Sequence, residues 1–263
     1  MSEAGVYQTR QKNGSISYRS SFTFRGRHIS LGSFSSEQAA HACYRDALRV
    51  SLSAASIPDY SEKDYVLPFE KYVSIVNFRD NDVYFSKPIY LRKRYFEYYF
   101  SRQECYKFDI DDLFYYAGRK ISRRGLHLFV ADYGMQVNIL NRYGIKSHAV
   151  KDRDYRFRNG DDTDFRYENI EIINPYYGVC MTKKNNRTVY KASILMRSTC
   201  VIGYYDTPEE AAIAYNKACD MIGARKGART YRQNYIESYS AREYADCYAG
   251  LKIPEKFLTL PLR

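Results

Sequence analysis

Residues 5–34, GVYQTRQKNGSISYRSSFTFRGRHISLGSF, are echoed by residues 178–207, GVCMTKKNNRTVYKASILMRSTCVIGYYDT. Both stretches open on Gly-Val, pass through a polar turn, alternate, turn again and close on a glycine-aromatic step. In the middle strand Tyr18, Ser20, Phe22 and Phe24 alternate with Arg19, Ser21, Thr23 and Arg25. In the echo Tyr190, Ala192, Ile194 and Met196 alternate with Lys191, Ser193, Leu195 and Arg197. A period of two places one set on a packed face and the other on an outward, polar and basic face. Each stretch runs into an Ala-rich segment, SSEQAAHACYRDAL (35–48) and TPEEAAIAYNKACDMI (207–222). Ser35 or Ser36 and Thr207 fit helix N-caps, with Glu37 or Glu210 in the first turn. Ala211, Ala214, Tyr215 and Ala218 recur at i, i+3, i+4 and i+7, a small-residue face that lets a helix lie close to a sheet. Such a repeat makes the unit three strands and a helix, present twice.

The remaining composition narrows the function classes. At 263 residues the chain can hold two or three domains, and 45% apolar with 27% charged residues is globular composition. No apolar run approaches the roughly 18–20 residues of a membrane span, so no membrane partner is expected. The start, MSEAGVYQTRQKNG, carries no apolar signal-peptide core. Six cysteines without a CxxC pair argue against a disulfide framework and a zinc cluster, and fit reduced thiols in a cytoplasm. The net charge of +11 is uneven: +4 over 1–57, −2 over 58–90, +3 over 91–176, +6 over 177–232 and none beyond. A basic chain attracts polyanions, nucleic acid above all. The 29 tyrosines, as in YLRKRYFEYYFSRQECYKF (90–108), suit base stacking beside phosphate contacts, and equally suit a tyrosine-rich core.

IGYYDTPEEAAIAYNKA (202–218) and, with one loop residue fewer, LGSFSSEQAAHACYRDA (31–47) resemble the LGxFDTxEEAAxAYDxAA signature of the plant ethylene-response-factor (APETALA-type) domain, which also accompanies homing endonucleases. The resemblance implies a three-stranded antiparallel sheet laid in the DNA major groove. It places first-strand contacts on Tyr7, Thr9 and Gln11, and on Cys180, Thr182 and Lys184. Middle-strand contacts fall on Ser21 and Thr23, and on Ser193 and Leu195; third-strand contacts fall on His28 and Ser30, and on Thr199 and Val201. Plant members carry Arg and Trp at most of these positions. Small or neutral residues here imply phosphate binding from flanking Arg and Lys, with modest sequence specificity.

Between the copies, RFRNGDDTDFRYENIEIIN (156–174) resembles the His-Asn-His (HNH) endonuclease motif in Asn159-Gly160, Asp164, Arg166, Glu168, Asn169 and Ile170. The resemblance implies a ββα-metal loop, a histidine that activates water and a metal-binding His or Asn. Here Arg156 and Phe157 stand at the His pair and Phe165 follows Asp164, so the motif offers no obvious general base. His127 and His148 lie nearby, but His148 is at the wrong spacing. Asp152, Asp154, Asp161, Asp162 and Asp164 read as a solvated acidic turn and helix start, or as a magnesium loop.

The expected fold is therefore α+β: two three-stranded antiparallel sheet-plus-helix modules (1–57 and 177–232) flanking a central ββα-metal, HNH-like α+β domain. The HNH-like region is placed at 91–176, an acidic linker with the first middle strands at 58–90, and a helix or arm at 233–263. SEKDYVLPFEKY (61–72) reads as linker, 80–101 and 123–140 as strands, and DIDDLFYYAGRKI (109–121) as a short helix or turn. The expected function is nucleic-acid binding, to double-stranded DNA first, by a relative of phage or mobile-element homing endonucleases that has lost catalysis and needs no cofactor. The expected contacts are Arg10, Gln11, Arg19, Ser21, Thr23, Arg25, Arg27 and His28 in the first module. Arg153, Arg156 and Arg158 join them from the middle, and Lys183, Lys184, Arg187, Lys191, Ser193 and Arg197 from the second module. Two other readings stand beside it. One is a phage inhibitor of a host CRISPR-type defence complex, gripping a host protein or its guide RNA; the other is an active, magnesium-dependent HNH nuclease.

Overall fold

The computed structural model describes residues 4–10, 14–125, 127–146, 149–225 and 230–259. The chain is α+β and its sheets are small and antiparallel. It divides into two compact units, one of residues 1–139 with 159–169 and the other of 140–158 with 170–263.

In the first unit β1 (Val6–Arg10), β2 (Ile16–Phe24) and β3 (Arg27–Phe34) form a sheet in the order β1-β2-β3, followed by helix α1 (Glu37–Leu52). Ser36 caps α1 by accepting a hydrogen bond from the Ala39 N–H, a contact that contributes about 1 kcal/mol. Phe22, Ile29 and Leu31 of the sheet pack with Cys43, Ala47 and Val50 of α1. Strict alternation fails at one point. Ser20, Ser21 and Phe22 are buried in succession, and beside Ser20 and Ser21 a β-bulge leaves Leu31 of β3 as the extra, unpaired residue. Arg25 also leaves the strand: with Gly26 it forms the two-residue turn between Phe24 and Arg27, both at positive φ.

Residues 58–90, expected as an acidic linker and first strands, carry a 13-residue buried helix in their middle. After a 3₁₀ turn at Ile57–Asp59, helix α2 (Phe69–Asn81) carries an unbroken buried run from Tyr72 to Phe78. A helix whose middle turns are buried all round, polar Ser74 and Asn77 included, shows no 3.6-residue apolar rhythm to betray it, and Pro68 at its N-cap reads as loop. Next come β4 (Ile89–Leu91), β5 (Tyr95–Tyr99) and β6 (Cys105–Asp109) in one sheet. The short helix α3 (Leu113–Ala117) leads to a second sheet of β7 (Ile121–Arg124), β8 (His127–Asp132) and β9 (Met135–Asn138). The 90–108 aromatics serve the core: Phe96, Tyr98, Tyr99 and Phe108 are buried.

The second unit holds the hairpin β10 (Tyr155–Phe157) and β11 (Ile170–Ile172), then β12 (Val179–Lys184), β13 (Arg187–Leu195) and β14 (Thr199–Tyr205). Chain runs from β11 to β12 without a helix. Helix α4 (Pro208–Gly223) follows β14, its N-terminus capped by Thr207 on the Glu210 N–H. Ala211, Ala214, Tyr215 and Ala218 are all buried against Val179, Ala192, Ile194 and Ile202. The tail docks back onto this core. Helices α5 (Ala241–Gly250) and α6 (Lys256–Thr259) pack on α4, and the fully buried Phe257 ring contributes roughly 1.5–3 kcal/mol.

The two modules share devices beyond their strand order. The β12-β13-β14 sheet bulges between Ala192 and Ser193, the counterpart of Ser20/Ser21. Gly5 and Gly178 both sit at positive φ, and their carbonyls accept from the Ser21 and Ser193 N–H groups. A Cβ on Gly5 would lie 2.2 Å from the Tyr44 ring, and one on Gly178 2.2 Å from the Tyr215 ring. In each copy a helix tyrosine therefore packs against a glycine at the sheet's entrance. Asn185 and Asn186 make the β12–β13 turn at positive φ, the geometry that two-residue hairpins favour.

Candidate nucleic-acid interface

The outward face of β12–β14 is set by its register. Cys180, Lys191 and Tyr204 pair across the three strands, as do Ser193 with Val201 and Leu195 with Thr199. This face lines a cleft of about 760 Å³ within the second unit. Lys191, Ser193, Cys180 and Thr199 come from the sheet, Lys146 and Arg153 from the segment before β10, and Tyr177 and Arg232 from flanking loops. Four cations thus meet one carboxylate, Asp154. Convergent positive charge in a concave site concentrates an anionic ligand.

Asp154 is neutralised where it stands. Buried to 2% exposure, it accepts from the Val150 N–H at 2.8 Å, from Arg153 Nη2 at 2.6 Å and from Asn174 Nδ2 at 2.8 Å, with Lys146 Nζ at 3.9 Å. Burial pushes the Asp154 carboxyl up, but these donors outweigh it and hold the group below the ordinary carboxylate range. Burial lowers Lys146, and Asp154 opposes that shift; the ammonium also donates to the Tyr176 carbonyl. Because the folded pKa of Asp154 lies below the unfolded value, its stabilisation is complete above about pH 4 and drains away as pH falls through the lower, folded value. Urea unfolding of the second unit is expected to give a level midpoint down to about pH 5 and a falling one below pH 4. A midpoint that stays level to about pH 2.5 contradicts this role.

Arg232 is held by amide pairs. Asn234 accepts from the Tyr177 N–H at 2.6 Å and donates to the Tyr177 carbonyl at 3.0 Å. On its other side the Asn234 N–H donates to Asn216 Oδ1 at 2.7 Å, and Asn216 Nδ2 donates to the Asn234 carbonyl at 2.8 Å. The buried Asn216 of α4 thereby fixes the loop that carries Arg232, whose guanidinium lies 5.1 Å from the Tyr177 ring centre. Neither Lys191 nor Arg232 is in an ion pair among the described residues.

Of the expected contacts, the cleft brings together Arg153, Lys191 and Ser193. Lys183, Lys184 and Arg187 are exposed at the β12–β13 turn, where Lys184 lies over Tyr204 at 4.4 Å, and Arg197 is exposed in the next turn. In the first module Arg10, Arg19, Thr23, Arg27 and His28 are exposed, with Arg27 over Tyr84 at 4.7 Å. Arg25 is occupied by Asp82 and the Phe78 carbonyl; Ser21 is buried. Gln11 and His148 lie outside the described residues. Sequence reasoning missed Lys146, Tyr177 and Arg232. Only the +6 charge over 177–232 hinted at Arg232, and nothing in spacing marked Lys146.

The HNH-like stretch is divided: its β10–β11 hairpin belongs to the second unit and its 159–169 loop to the first. Arg156 makes a two-point pair with Glu171 at 2.9 and 3.2 Å, and Arg158 reaches the same carboxylate at 3.6 Å. Phe157 is buried. Within the loop, Asn169 accepts from the Asn159 N–H at 2.9 Å and donates to the Asp164 carbonyl at 2.8 Å, and Arg166 grips Asp164 at 2.6 and 2.8 Å. Phe165 stacks on Phe108 at 5.6 Å in the first unit's core. The residues that resemble the motif therefore brace a loop, and those at its expected catalytic positions are a packed ring (Phe165), a buried ring (Phe157) and a paired arginine (Arg156). Among the described residues, no three His, Cys, Asp or Glu side chains are grouped as a metal site requires, and no helix is long and apolar enough to cross a membrane. No family model, curated protein or solved structure matches this chain.

Proposed function

We propose that this chain binds nucleic acid, duplex DNA included, through the outward faces of its two sheet modules, and does not cut it. The observation that carries the reading is the convergence of Lys146, Arg153, Lys191 and Arg232 around one sheet face, with Asp154, the one carboxylate among the cleft's described lining residues, already neutralised. Such a site attracts phosphates and releases their counterions. Few base-reading side chains stand on either face, so the grip is on the backbone and its sequence preference is modest. Two weak grips on one chain raise each other's effective concentration. The ethylene-response-factor-like and degenerate HNH-like readings supply an ancestry, a homing endonuclease of a mobile element, for a binder without chemistry.

The test is fluorescence anisotropy with duplex DNA, single-stranded DNA and RNA over a salt series, with magnesium present and cleavage checked in the same samples. Salt-sensitive binding without cleavage is the expected result. Arg19→Ala with the duplex and Lys191→Ala with the single strand are each expected to weaken binding and to reduce the slope of log K against log salt, by about 0.9 and about 0.7 respectively. Unchanged slopes in both variants would remove the sheet faces from the interface. Absence of binding to all three probes would overturn the reading and favour a protein target.

A further inference from the structure

The two modules share a scaffold, but their outward faces differ in access. Arg19 and Ser30 stand exposed on the first, whereas their counterparts Lys191 and Val201 are half-buried. The cause is the cleft: the segment before β10 and the Tyr177 and Arg232 loops enclose the second sheet's face. To read a major groove about 12 Å wide, a sheet must project into it. A lysine inside a cleft cannot reach that floor, but a single strand can enter the cleft. About 760 Å³ lies within the roughly 300–1,000 Å³ of small-ligand sites, room for a short stretch of strand. The cleft also offers what an unpaired strand uses and a duplex does not, a flat stacking surface beside cations: the Arg232 guanidinium on the Tyr177 ring.

We propose that the second unit's cleft takes a single nucleic-acid strand, with a phosphodiester on Lys191 and Arg153 and an unpaired base against the Arg232–Tyr177 pair. This deepens the nucleic-acid reading and rests on it. Duplex contacts are then left to the open first module. Lys146 and Asp154 act as positioning residues that set Arg153, and Asn216 with Asn234 set Arg232 and Tyr177.

The test uses the full chain with three labelled probes: a 12-nucleotide single strand, a hairpin duplex containing the same sequence, and a mononucleotide. The variants are Lys191→Gln, Arg232→Gln and Arg19→Gln. Arg232 is exposed and in no ion pair among the described residues, so its variant should keep the wild-type melting curve. Arg232→Gln and Lys191→Gln are expected to weaken single-strand binding about tenfold and to change duplex binding less than twofold. Arg19→Gln should do the reverse, and the mononucleotide should bind far more weakly than the strand. Equal losses for strand and duplex in the cleft variants, or none for the strand, would overturn the proposal while leaving general nucleic-acid binding intact. A mononucleotide binding as tightly as the strand would also overturn it, in favour of a free-nucleotide site. Failure of the wild type to bind any probe would instead overturn the broader reading and this one with it.

Discussion

Gly178→Ala is expected to destabilise the second unit by about 3 kcal/mol, read as a fall of roughly 10–15 °C in its melting temperature. Two costs add. The residue sits at φ +70°, where a side chain costs roughly 1–2 kcal/mol. The new methyl group would also lie 2.2 Å from the Tyr215 ring and 2.6 Å from the Ser193 carbonyl oxygen. The ring belongs to the packed face of α4, and the carbonyl belongs to β13, so neither yields cheaply. Adding Tyr215→Ala to Gly178→Ala should recover the part due to the ring, giving a coupling between the two sites. Strictly additive losses would show that the backbone, not the ring, sets the cost. Gly5→Ala, against Tyr44 and the Ser21 carbonyl, should repeat the loss in the first unit. A Gly178→Ala protein that melts like the wild type would refute the shared glycine–tyrosine device.

Asp154→Ala is expected to cost about 3–5 kcal/mol, the range for removing one partner of a buried charge cluster. The loss exceeds that of an exposed ion pair because the remaining groups keep their burial. The Val150 N–H, Asn174 and the largely buried Lys146 all lose a partner. Asp154→Asn keeps the shape and one acceptor, so it should lose less at pH 7. Near pH 3 the gap between wild type and Asp154→Asn should narrow, because the native carboxylate loses its advantage there. Urea unfolding of the three proteins at both pH values measures this. An Asp154→Ala midpoint equal to that of the wild type at pH 7 would contradict the hub.

The features legible in the amino-acid sequence are the local ones. Alternation in Tyr18–Arg25 and Tyr190–Arg197, with the Ala-rich segments after them, points to sheets backed by helices because each signal lies within a few adjacent residues. The bulges at Ser20/Ser21 and Ala192/Ser193 escape, since a single extra residue changes the facing of its neighbours without changing composition. Helix α2 escapes because burial on all sides erases periodicity. The cleft was half legible: Lys191, Ser193 and Arg153 carry local signals of strand facing or charge. Lys146 and Arg232 come from segments far apart in the chain, and only the tertiary fold, through Asp154 and through Asn216 and Asn234, brings them to the β13 face.

The duplicated scaffold has a consequence for symmetry. Gly5 with Tyr44 and Gly178 with Tyr215 hold two similar frames, yet one frame displays an open face and the other an enclosed one. A dimer of identical readers is indifferent to which half meets which end of its ligand, and for that reason favours inverted repeats. A chain whose two readers are unlike has no such indifference. Under the proposed function, a nucleic acid bound by both faces would meet two unlike surfaces, so its two ends would not be interchangeable.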